Sequence, residues 1–324
     1  MIDANKKALN SLLKYFQRRK YTKMTVNRWT QTAMEYLVFL EKNGKSIDDI
    51  GDLLNSEGRV VKKEDYGVKE FLDTKTRYSA RYLNYLCHVL KRLYKAWEKH
   101  FPIDDDDFPK VSGEPKRLML TDEQLLKLAD AAKTMWLEEV GKHKDGFTGL
   151  RDYAMVLISI DCGARRIQIS ELNVGDYDSK KETLFIPAAK GGRETYRPLS
   201  KVTRDVLVFY LKKREMLPTK EKAMFLLDNN EHRIMTSSMT VRFRTVAKRA
   251  GVYQKGIGFH ASRRGKSLRL KQGKLSEEEI NDVFGWKIGS KMSHIYGELD
   301  QTKVQQKASK VDTILNGKSS NKDK

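Results

Sequence analysis

A histidine and an arginine stand three residues apart in the segment GFHASRRGKSLRL. His260 and Arg263 would project from one side of a helix that begins there, because residues three apart are neighbours on a helix surface. An imidazole and a guanidinium placed in this way can both donate hydrogen bonds to an anion such as a phosphate. The spacing alone is weak evidence, because an arginine at a helix start also caps neighbours or forms ion pairs.

A tyrosine follows in the segment VFGWKIGSKMSHIYGELD. A buried helix accounts for Phe284 and Trp286, but it does not account for Tyr296, which lies in a stretch interrupted by glycines. Tyr296 could pack in a core, or its phenol could act as a nucleophile. A phenol has a pKa of about 10, so a nucleophilic tyrosine needs a cationic pocket or a base beside it.

These residues form part of a larger ordered set. Taken with the segments CGARRIQISELNVGDYD and AAKGGRET, the set resembles the catalytic signature of the tyrosine recombinases, also called the phage integrase family. The resemblance covers about residues 118–310 through motifs, and the N-terminal region only through its domain plan. The wording GSKM resembles archaeal members. The matching residues are Arg165, Lys190, His260, Arg263, Trp286 and Tyr296.

The first motif can be aligned in two ways. Leu172 and Asp176 lie seven and eleven residues after Arg165, where the family's leucine and aspartate usually fall. This ungapped register makes Arg165 the first catalytic arginine and places Gln168 at a position that is usually acidic. Arg166 remains an alternative to Arg165. Aligning Glu171 with the acidic position would require a different register.

The resemblance implies a role for each matched residue. Arg165 and Arg263 would present planar, permanently charged guanidiniums to the oxygens of a phosphodiester, a geometry that lysine does not offer. His260 and the indole N–H of Trp286 would add hydrogen bonds to those oxygens. Lys190 would give a proton to the leaving 5′ oxygen, and Tyr296 would attack the phosphorus.

The implied enzyme is a site-specific DNA recombinase or integrase. It would cut and rejoin strands through a 3′-phosphotyrosyl intermediate and a Holliday junction, in DNA integration, excision or dimer resolution. The linkage conserves the phosphodiester's energy, so neither ATP nor a metal is needed and no cofactor is expected. The alternatives are a topoisomerase of type IB and a DNA-binding protein of this fold that does not cleave.

Other basic residues have plainer interpretations. Lys190 could be an exposed turn lysine, and Arg264, next to Arg263, is interpreted as structural. We interpret Arg193, Arg197 and Lys201 as contacts to backbone phosphates or as solvated charges.

The elements that must position these residues are helices and one β-hairpin. The segment ETLFIPAAKGGRETYRPLS predicts two strands around a turn at Lys190. Helices are predicted at about 201–216, 237–250, 261–272 and 276–284. Ser79 and Thr121 are each predicted to cap a helix, and Ser276 with Glu279 has the spacing of a capping box.

The predicted fold class is mainly α with a small antiparallel β-sheet. Residues 1–104, in which only helices are predicted, would form a helical core-binding domain, SAM-like by resemblance, followed by a linker at 105–117. Residues 118–299 would form the catalytic domain, and 300–324 a tail helix and disordered end. By resemblance, the two domains would clamp double-stranded DNA in a C shape.

Composition agrees with a nucleic-acid partner. The chain of 324 residues carries 63 Lys and Arg against 43 Asp and Glu, a formal charge of +20. Such an excess favours a polyanionic partner, although a highly charged surface alone is the competing explanation. The absence of a long apolar run or signal peptide predicts a cytoplasmic protein without a membrane partner.

Two further features concern thiols and assembly. Cys87 and Cys162 lie in apolar helical patterns without metal-ligand or disulfide spacing, so both are predicted to be small buried hydrophobic residues. The six histidines form no HExxH motif, which argues against a metal site. Apolar residues at helical spacing after Tyr296 predict a tail helix. By resemblance it would hold a homotetramer together on two DNA sites, or it would fold back on its own domain.

Overall fold

The computed structural model describes residues 1–54, 60–64, 67–111, 118–142, 145–189, 191–287 and 289–290. The chain divides into two compact units, Met1–Pro115 and Lys116–Lys324, and each has its own hydrophobic core. Lys190, Tyr296 and the predicted tail helix lie outside the described residues.

Helices make up most of the first unit. Helix α4 (Ala80–Ala96) begins where the Ser79 hydroxyl accepts a hydrogen bond from the Tyr82 N–H at 3.3 Å, as the sequence predicts. Leu86, Leu90 and Leu93 are buried, whereas Arg81 and Lys95 are exposed, so the helix has a basic face. The helices are α1 (Asp3–Arg18), α2 (Lys23–Lys42), α3 (Val68–Asp73) and α4 (Ala80–Ala96).

The prediction of helices alone in this region was wrong for one segment. Strands β1 (Gly51–Leu54) and β2 (Val60–Glu64) pair in an antiparallel ladder. The sequences GDLL and VVKKE are too short to show the alternation that identifies a half-buried strand. Backbone pairing, which a hydrophobic pattern does not report, holds this hairpin together.

The first unit also extends beyond residue 104, where the predicted linker begins. The side chains of Phe101, Ile103 and Phe108 are buried in its core. Between them, Asp105–Asp107 form one short 3₁₀ turn. Prolines and acidic residues obscure the apolar pattern in the sequence, but the aromatic rings on both sides of the acidic run still pack inward.

The second unit is organised around one buried helix. Its helices are α5 (Asp122–Gly141), α6 (Phe147–Asp161), α7 (Arg166–Glu171), α8 (Lys201–Glu215), α9 (Thr236–Arg249), α10 (Phe259–Gln272) and α11 (Glu277–Phe284). Helix α6 packs against α5, α7, α8, α9 and α10, which explains the almost continuous apolar run YAMVLISI.

A small antiparallel sheet completes this unit. Its strands are β3 (Tyr177–Asp178), β4 (Thr183–Ile186) and β5 (Thr195–Pro198), in the order β3-β4-β5. Ile186 pairs with Thr195, so β4 and β5 flank the position of Lys190 as the hairpin prediction requires. The observed fold is therefore mainly helical with a small antiparallel sheet, which confirms the predicted class.

The predicted helix starts also hold. Thr121 accepts from the Gln124 N–H at 3.3 Å, and Ser276 forms the expected capping box with Glu279. Among the described residues, none of the helices combines the length and apolar character needed to cross a bilayer.

Candidate catalytic site

A tight turn after helix α6 brings Arg165 to the start of α7. Gly163 in this turn has a φ of +57°, which side chains other than glycine rarely tolerate. A Cβ at this position would also lie 2.9 Å from the Phe284 ring. The glycine therefore permits both the turn and the close packing of α11 against it. Arg165, two residues after Gly163, is the N-cap residue of α7 and is 9% exposed.

Gln168 fixes the start of α7. Its side-chain oxygen accepts a hydrogen bond from the backbone N–H of Arg165 at 3.0 Å. Its side-chain nitrogen donates to the carbonyl of Pro187 at 2.6 Å. The side chain is buried, so its amide ties the first turn of α7 to the chain that leaves β4. An amide therefore performs the anchoring at the position where the family usually has an acid.

The alternative arginine, Arg166, contacts a different element. Its guanidinium donates to the hydroxyl of Thr240 on α9. Arg165, by contrast, is close enough to Arg197 to lower the pKa of that side chain. This arrangement favours Arg165 as the first arginine of the site.

Arg263 is completely buried and holds the same turn from helix α10. Its Nη1 donates to the carbonyl of Gly163 at 2.7 Å. The guanidinium carbon lies 4.3 Å from the centroid of the Phe284 ring and 5.1 Å from that of Trp286. Cation–π contacts of this kind partly replace the water that a buried guanidinium loses. Arg263 thus links the turn before Arg165 to the aromatic pair at the end of α11.

His260 lies one helical turn before Arg263 but has a different environment. The sequence places both residues at the start of α10, and the helix does begin at Phe259. The side chain of His260 is exposed, whereas that of Arg263 is buried. Arg264 donates to the carbonyl of Leu118 at 2.9 Å, in keeping with its structural interpretation.

Trp286 completes the described part of the site. It is 3% exposed, and its ring stacks on Phe284 with centroids 4.7 Å apart. Helix α11 ends at Gly285, which has a φ of +62°, and the backbone N–H of Trp286 donates to Asn281 at 2.8 Å. This Gly-centred helix end directs the chain away from α11 towards the segment that carries Tyr296.

The backbone just before β5 contacts the C-terminal end of α11. The Arg193 N–H donates to the carbonyl of Gly285 at 2.8 Å, and the Arg193 side chain forms an ion pair with Asp282. A Cβ on Gly192 would lie 2.5 Å from the Gly285 oxygen. We call the group formed by Gly192, Arg193, Asp282 and Gly285 the hairpin clasp. It joins the chain just after Lys190 to the chain just before Trp286.

Arg197 differs from its interpretation as a solvated charge or phosphate contact. It is 5% exposed, its Nη1 donates to the carbonyl of Cys162, and its Nε donates to Thr195 at 3.1 Å. Its guanidinium lies 5.5 Å from the centroid of Phe284. The two buried arginines, Arg197 and Arg263, therefore hold the consecutive carbonyls of residues 162 and 163. The side chains of Arg193 and Lys201 instead form ion pairs with Asp282 and Asp205.

The site carries a concentration of positive charge. Burial lowers the pKa of Arg197 to about 10, and the nearby charge of Arg165 contributes to the same shift. The pKa of Lys266 is also lowered, first by burial and then by Arg269. With a pKa of about 10, Arg197 keeps its charge at neutral pH, so this part of the site would favour an anion.

Burial raises the pKa of the Cys162 thiol to about 12, and that of Cys87 to about 11. Both cysteines are free and buried, which confirms their prediction as small hydrophobic residues.

The structure therefore brings Arg165, Arg263 and Trp286 together around Gly163 and Phe284. His260 lies at the start of the helix that carries Arg263. Sequence reasoning missed the contacts of Phe284 and Arg197. The alternation of β5 could have identified Arg197, because it occupies an inward-facing position of that strand.

Comparison with known proteins identifies the family. The model of the phage integrase family matches residues 119–303. The chain belongs to the phage integrase family. Tyrosine recombinase XerA of Pyrococcus horikoshii is 22% identical to this phage integrase family member over 257 residues, which cover 75% of this chain and 79% of XerA.

Solved structures of recombinases show the same fold. XerH recombinase bound to its palindromic difH substrate has a TM-score of 0.68 and 16% identity, with 90% of this chain and 81% of XerH covered. A lambda integrase tetramer bound to a Holliday junction has a TM-score of 0.61 and 16% identity, with 90% and 76% covered.

Proposed function

We propose that this phage integrase family member is a site-specific DNA recombinase that cleaves and rejoins DNA through Tyr296. The observation that carries the proposal is the joint anchoring of Arg165 and Arg263. Arg263 donates to the carbonyl of Gly163 at 2.7 Å, two residues before Arg165, so both arginines belong to one rigid unit. Family membership supports a recombinase that acts on DNA.

In the proposed reaction, Arg165 and Arg263 stabilise the negative charge that develops on the phosphoryl oxygens. Both residues are buried, so their contribution is not weakened by bulk water as it would be at the surface. The carbonyl of Gly163 and the ring of Phe284 already hold the guanidinium of Arg263.

His260 and Trp286 are proposed as further hydrogen-bond donors to the same oxygens. Loss of one such preorganised donor typically costs on the order of 10²–10³ in rate. The phenol of Tyr296 releases its proton to solvent, and its oxygen forms a bond to phosphorus while the bond to the 5′ oxygen breaks. Lys190 gives its proton to that 5′ oxygen, which leaves a 3′-phosphotyrosyl enzyme and a free 5′ hydroxyl. Reversal on another strand rejoins the DNA.

The first unit is proposed to add DNA affinity. The exposed face of α4 carries Arg81 and Lys95, and its neighbour α2 carries Arg28, whose guanidinium lies 4.6 Å from the Tyr85 centroid. Contacts from such side chains to phosphates would supply most of the affinity, and base contacts would select the site. We further propose a tetramer on paired sites, joined through the tail helix, since a lambda integrase tetramer has been solved on a Holliday junction.

The proposal is tested by trapping the covalent intermediate. Labelled, nicked duplexes that tile the DNA flanking this gene are incubated with the protein, because a nick lets the cleaved fragment diffuse away and prevents rejoining. We expect a protein–DNA adduct that survives denaturation, and its loss in Tyr296→Phe. Tyr196→Phe is the matched control, because Tyr196 is an exposed tyrosine of β5.

The outcomes separate the competing functions. Absence of an adduct with every duplex, or an undiminished adduct with Tyr296→Phe, would contradict the nucleophile assignment. DNA binding without any adduct would indicate a protein that does not cleave. Relaxation of supercoiled DNA without Holliday junctions between two sites would indicate a topoisomerase.

A further inference from the structure

The side chain of Gln168 bridges two segments that carry candidate catalytic residues. On one side its oxygen accepts from the Arg165 N–H at 3.0 Å, and on the other its nitrogen donates to the Pro187 carbonyl at 2.6 Å. Both partners fix the orientation of the amide, because a backbone N–H can only donate and a carbonyl can only accept. Gln168 is 1% exposed, so water does not substitute for either bond.

Chemistry distinguishes an amide from an acid at this position. An ionised glutamate would still accept from Arg165, but it has no proton to donate to Pro187. It would also place a carboxylate oxygen against a carbonyl oxygen in a buried site, where an unpaired charge is costly. The bridge between α7 and the chain leaving β4 therefore requires a side chain with one acceptor and one donor.

The two ends of the bridge have separate consequences for catalysis. Arg165 is at one end, and the chain that leads from Pro187 reaches Lys190 three residues later. Arg165 is the N-cap residue of α7, and the other end of this helix has a separate anchor, because the Leu172 carbonyl accepts from the Met224 N–H at 2.8 Å. Helix α7 thus has support independent of Gln168. Pro187, by contrast, lies beyond the last backbone pair of the β4–β5 ladder, which joins Ile186 to Thr195.

We infer that Gln168 is a positioning residue that aligns the hairpin bearing Lys190 with the arginine centre through the carbonyl of Pro187. This inference rests on the proposed function and assigns the amide a task that a carboxylate does not perform. Substituting the residue usual in the family is therefore expected to harm this enzyme. The defect should appear in the proton transfer to the leaving group, with Arg165 still held by its acceptor.

A change of leaving group isolates that step. In a duplex whose scissile 5′ oxygen is replaced by sulfur, the leaving thiolate is stable without a proton, so cleavage no longer depends on a proton donor. Single-turnover cleavage is measured for wild type and Gln168→Glu on the oxygen and sulfur forms of the duplex that gives an adduct with wild type. We expect Gln168→Glu to be slower by about 10- to 100-fold on oxygen. We expect the cleavage rate of Gln168→Glu on the sulfur duplex to equal that of wild type.

Glu171→Gln is the matched control. It makes the opposite change between an acid and an amide at an exposed position of the same helix, and its rates should equal those of wild type on both duplexes. A severe loss in this control would place the acidic motif position at Glu171 and overturn the inference.

Two other outcomes would overturn it. Gln168→Glu could cleave the oxygen duplex at the wild-type rate, or it could lose the same factor on both duplexes, as a general defect of the helix cap would cause. If Gln168→Glu does not fold, Gln168→Met is measured instead, because it keeps a similar volume without a charge. It loses both hydrogen bonds, so it should be slower than wild type on both duplexes, but by a larger factor on oxygen than on sulfur. If no duplex gives an adduct with wild type, the proposed function itself is refuted.

Discussion

The backbone N–H of Arg193 donates a hydrogen bond to the carbonyl oxygen of Gly285, and the two atoms lie 2.8 Å apart. This bond joins the segment after the hairpin turn to the C-terminal end of α11. It exists because neither Gly192 nor Gly285 has a side chain that would separate the two backbones. The relative placement of the hairpin and the Trp286 segment is therefore encoded in backbone contacts.

Replacing Gly192 with alanine should destabilise the second unit. Its Cβ would lie 2.5 Å from the Gly285 oxygen, so the two backbones would have to separate. We expect a loss of about 1–3 kcal/mol in the free energy of unfolding, the usual range for overpacking, measured by urea denaturation. Gly175→Ala is the control, because a Cβ there meets nothing within 4 Å. Equal stabilities for the two variants would mean that the hairpin clasp does not form.

Replacing Arg263 with lysine should abolish most cleavage while leaving a folded protein. Lysine keeps the charge but cannot hold the Gly163 carbonyl, lie flat against Phe284 and contact a phosphate with one planar group. We expect the single-turnover cleavage rate to fall by at least about 100-fold. Arg249→Lys should keep the wild-type rate, because Arg249 forms a half-exposed ion pair with Glu138. A near-normal rate for Arg263→Lys would exclude a planar guanidinium requirement.

The two cysteines should resist thiol reagents in the native state. Burial raises their pKa values to about 11 for Cys87 and about 12 for Cys162, so both remain protonated at pH 8. A chromogenic disulfide reagent should label neither thiol in native protein and both after denaturation in guanidinium. Rapid labelling of native protein would show that one of the helices opens.

The same shifts predict a loss of stability in alkaline solution. Folding raises each thiol pKa above its ordinary value of 9.0. The unfolded chain therefore releases these protons at a lower pH than the folded chain does. The stabilisation is complete below about pH 9 and is lost as the pH rises through the folded values. Urea midpoints should therefore fall above pH 9, and a Cys87→Ala, Cys162→Ala variant should lose this part of the dependence. An unchanged slope in that variant would assign the effect to other groups.

DNA affinity should fall steeply with salt. The formal charge of +20 favours binding driven by counterion release, in which the slope of log K against log salt is about −0.9 for each phosphate neutralised. Arg81→Ala on the exposed face of α4 should reduce the slope by about one, and Arg81→Lys should restore it. Filter binding between low and physiological salt gives both slopes. No change with Arg81→Ala would mean that this face does not meet the phosphates.

Local signals in the sequence were sufficient for much of the fold. Ser79, Thr121 and Ser276 cap the helices that they were predicted to begin, because capping depends on residues within one turn. The hairpin around Lys190 was predicted for a similar reason, since its two strands are close in sequence. The family motif then located Arg165, Arg263 and Trp286, whose clustering no periodicity reveals.

The contacts between distant segments could not be predicted in this way. Gln168 reaches Pro187, Arg197 reaches Cys162, and Gly192 meets Gly285 only in the folded chain. Arg197 is buried without a carboxylate partner among the described residues, which also contradicts the expectation that basic side chains are solvated. Its burial follows from the inward face of β5 and from the carbonyl and aromatic ring that receive it.

The hydrogen bond from Arg263 to Gly163 spans 100 residues of sequence. Phe284, which covers the same turn, comes later still, so the arginine centre requires parts of the chain that are synthesised at well-separated times. Long-range contacts of this kind form late, after local helices. A partly synthesised chain would therefore carry Arg165 without the neighbours that complete its pocket. The candidate site is completed only once the segment that carries Phe284 and Trp286 has been synthesised.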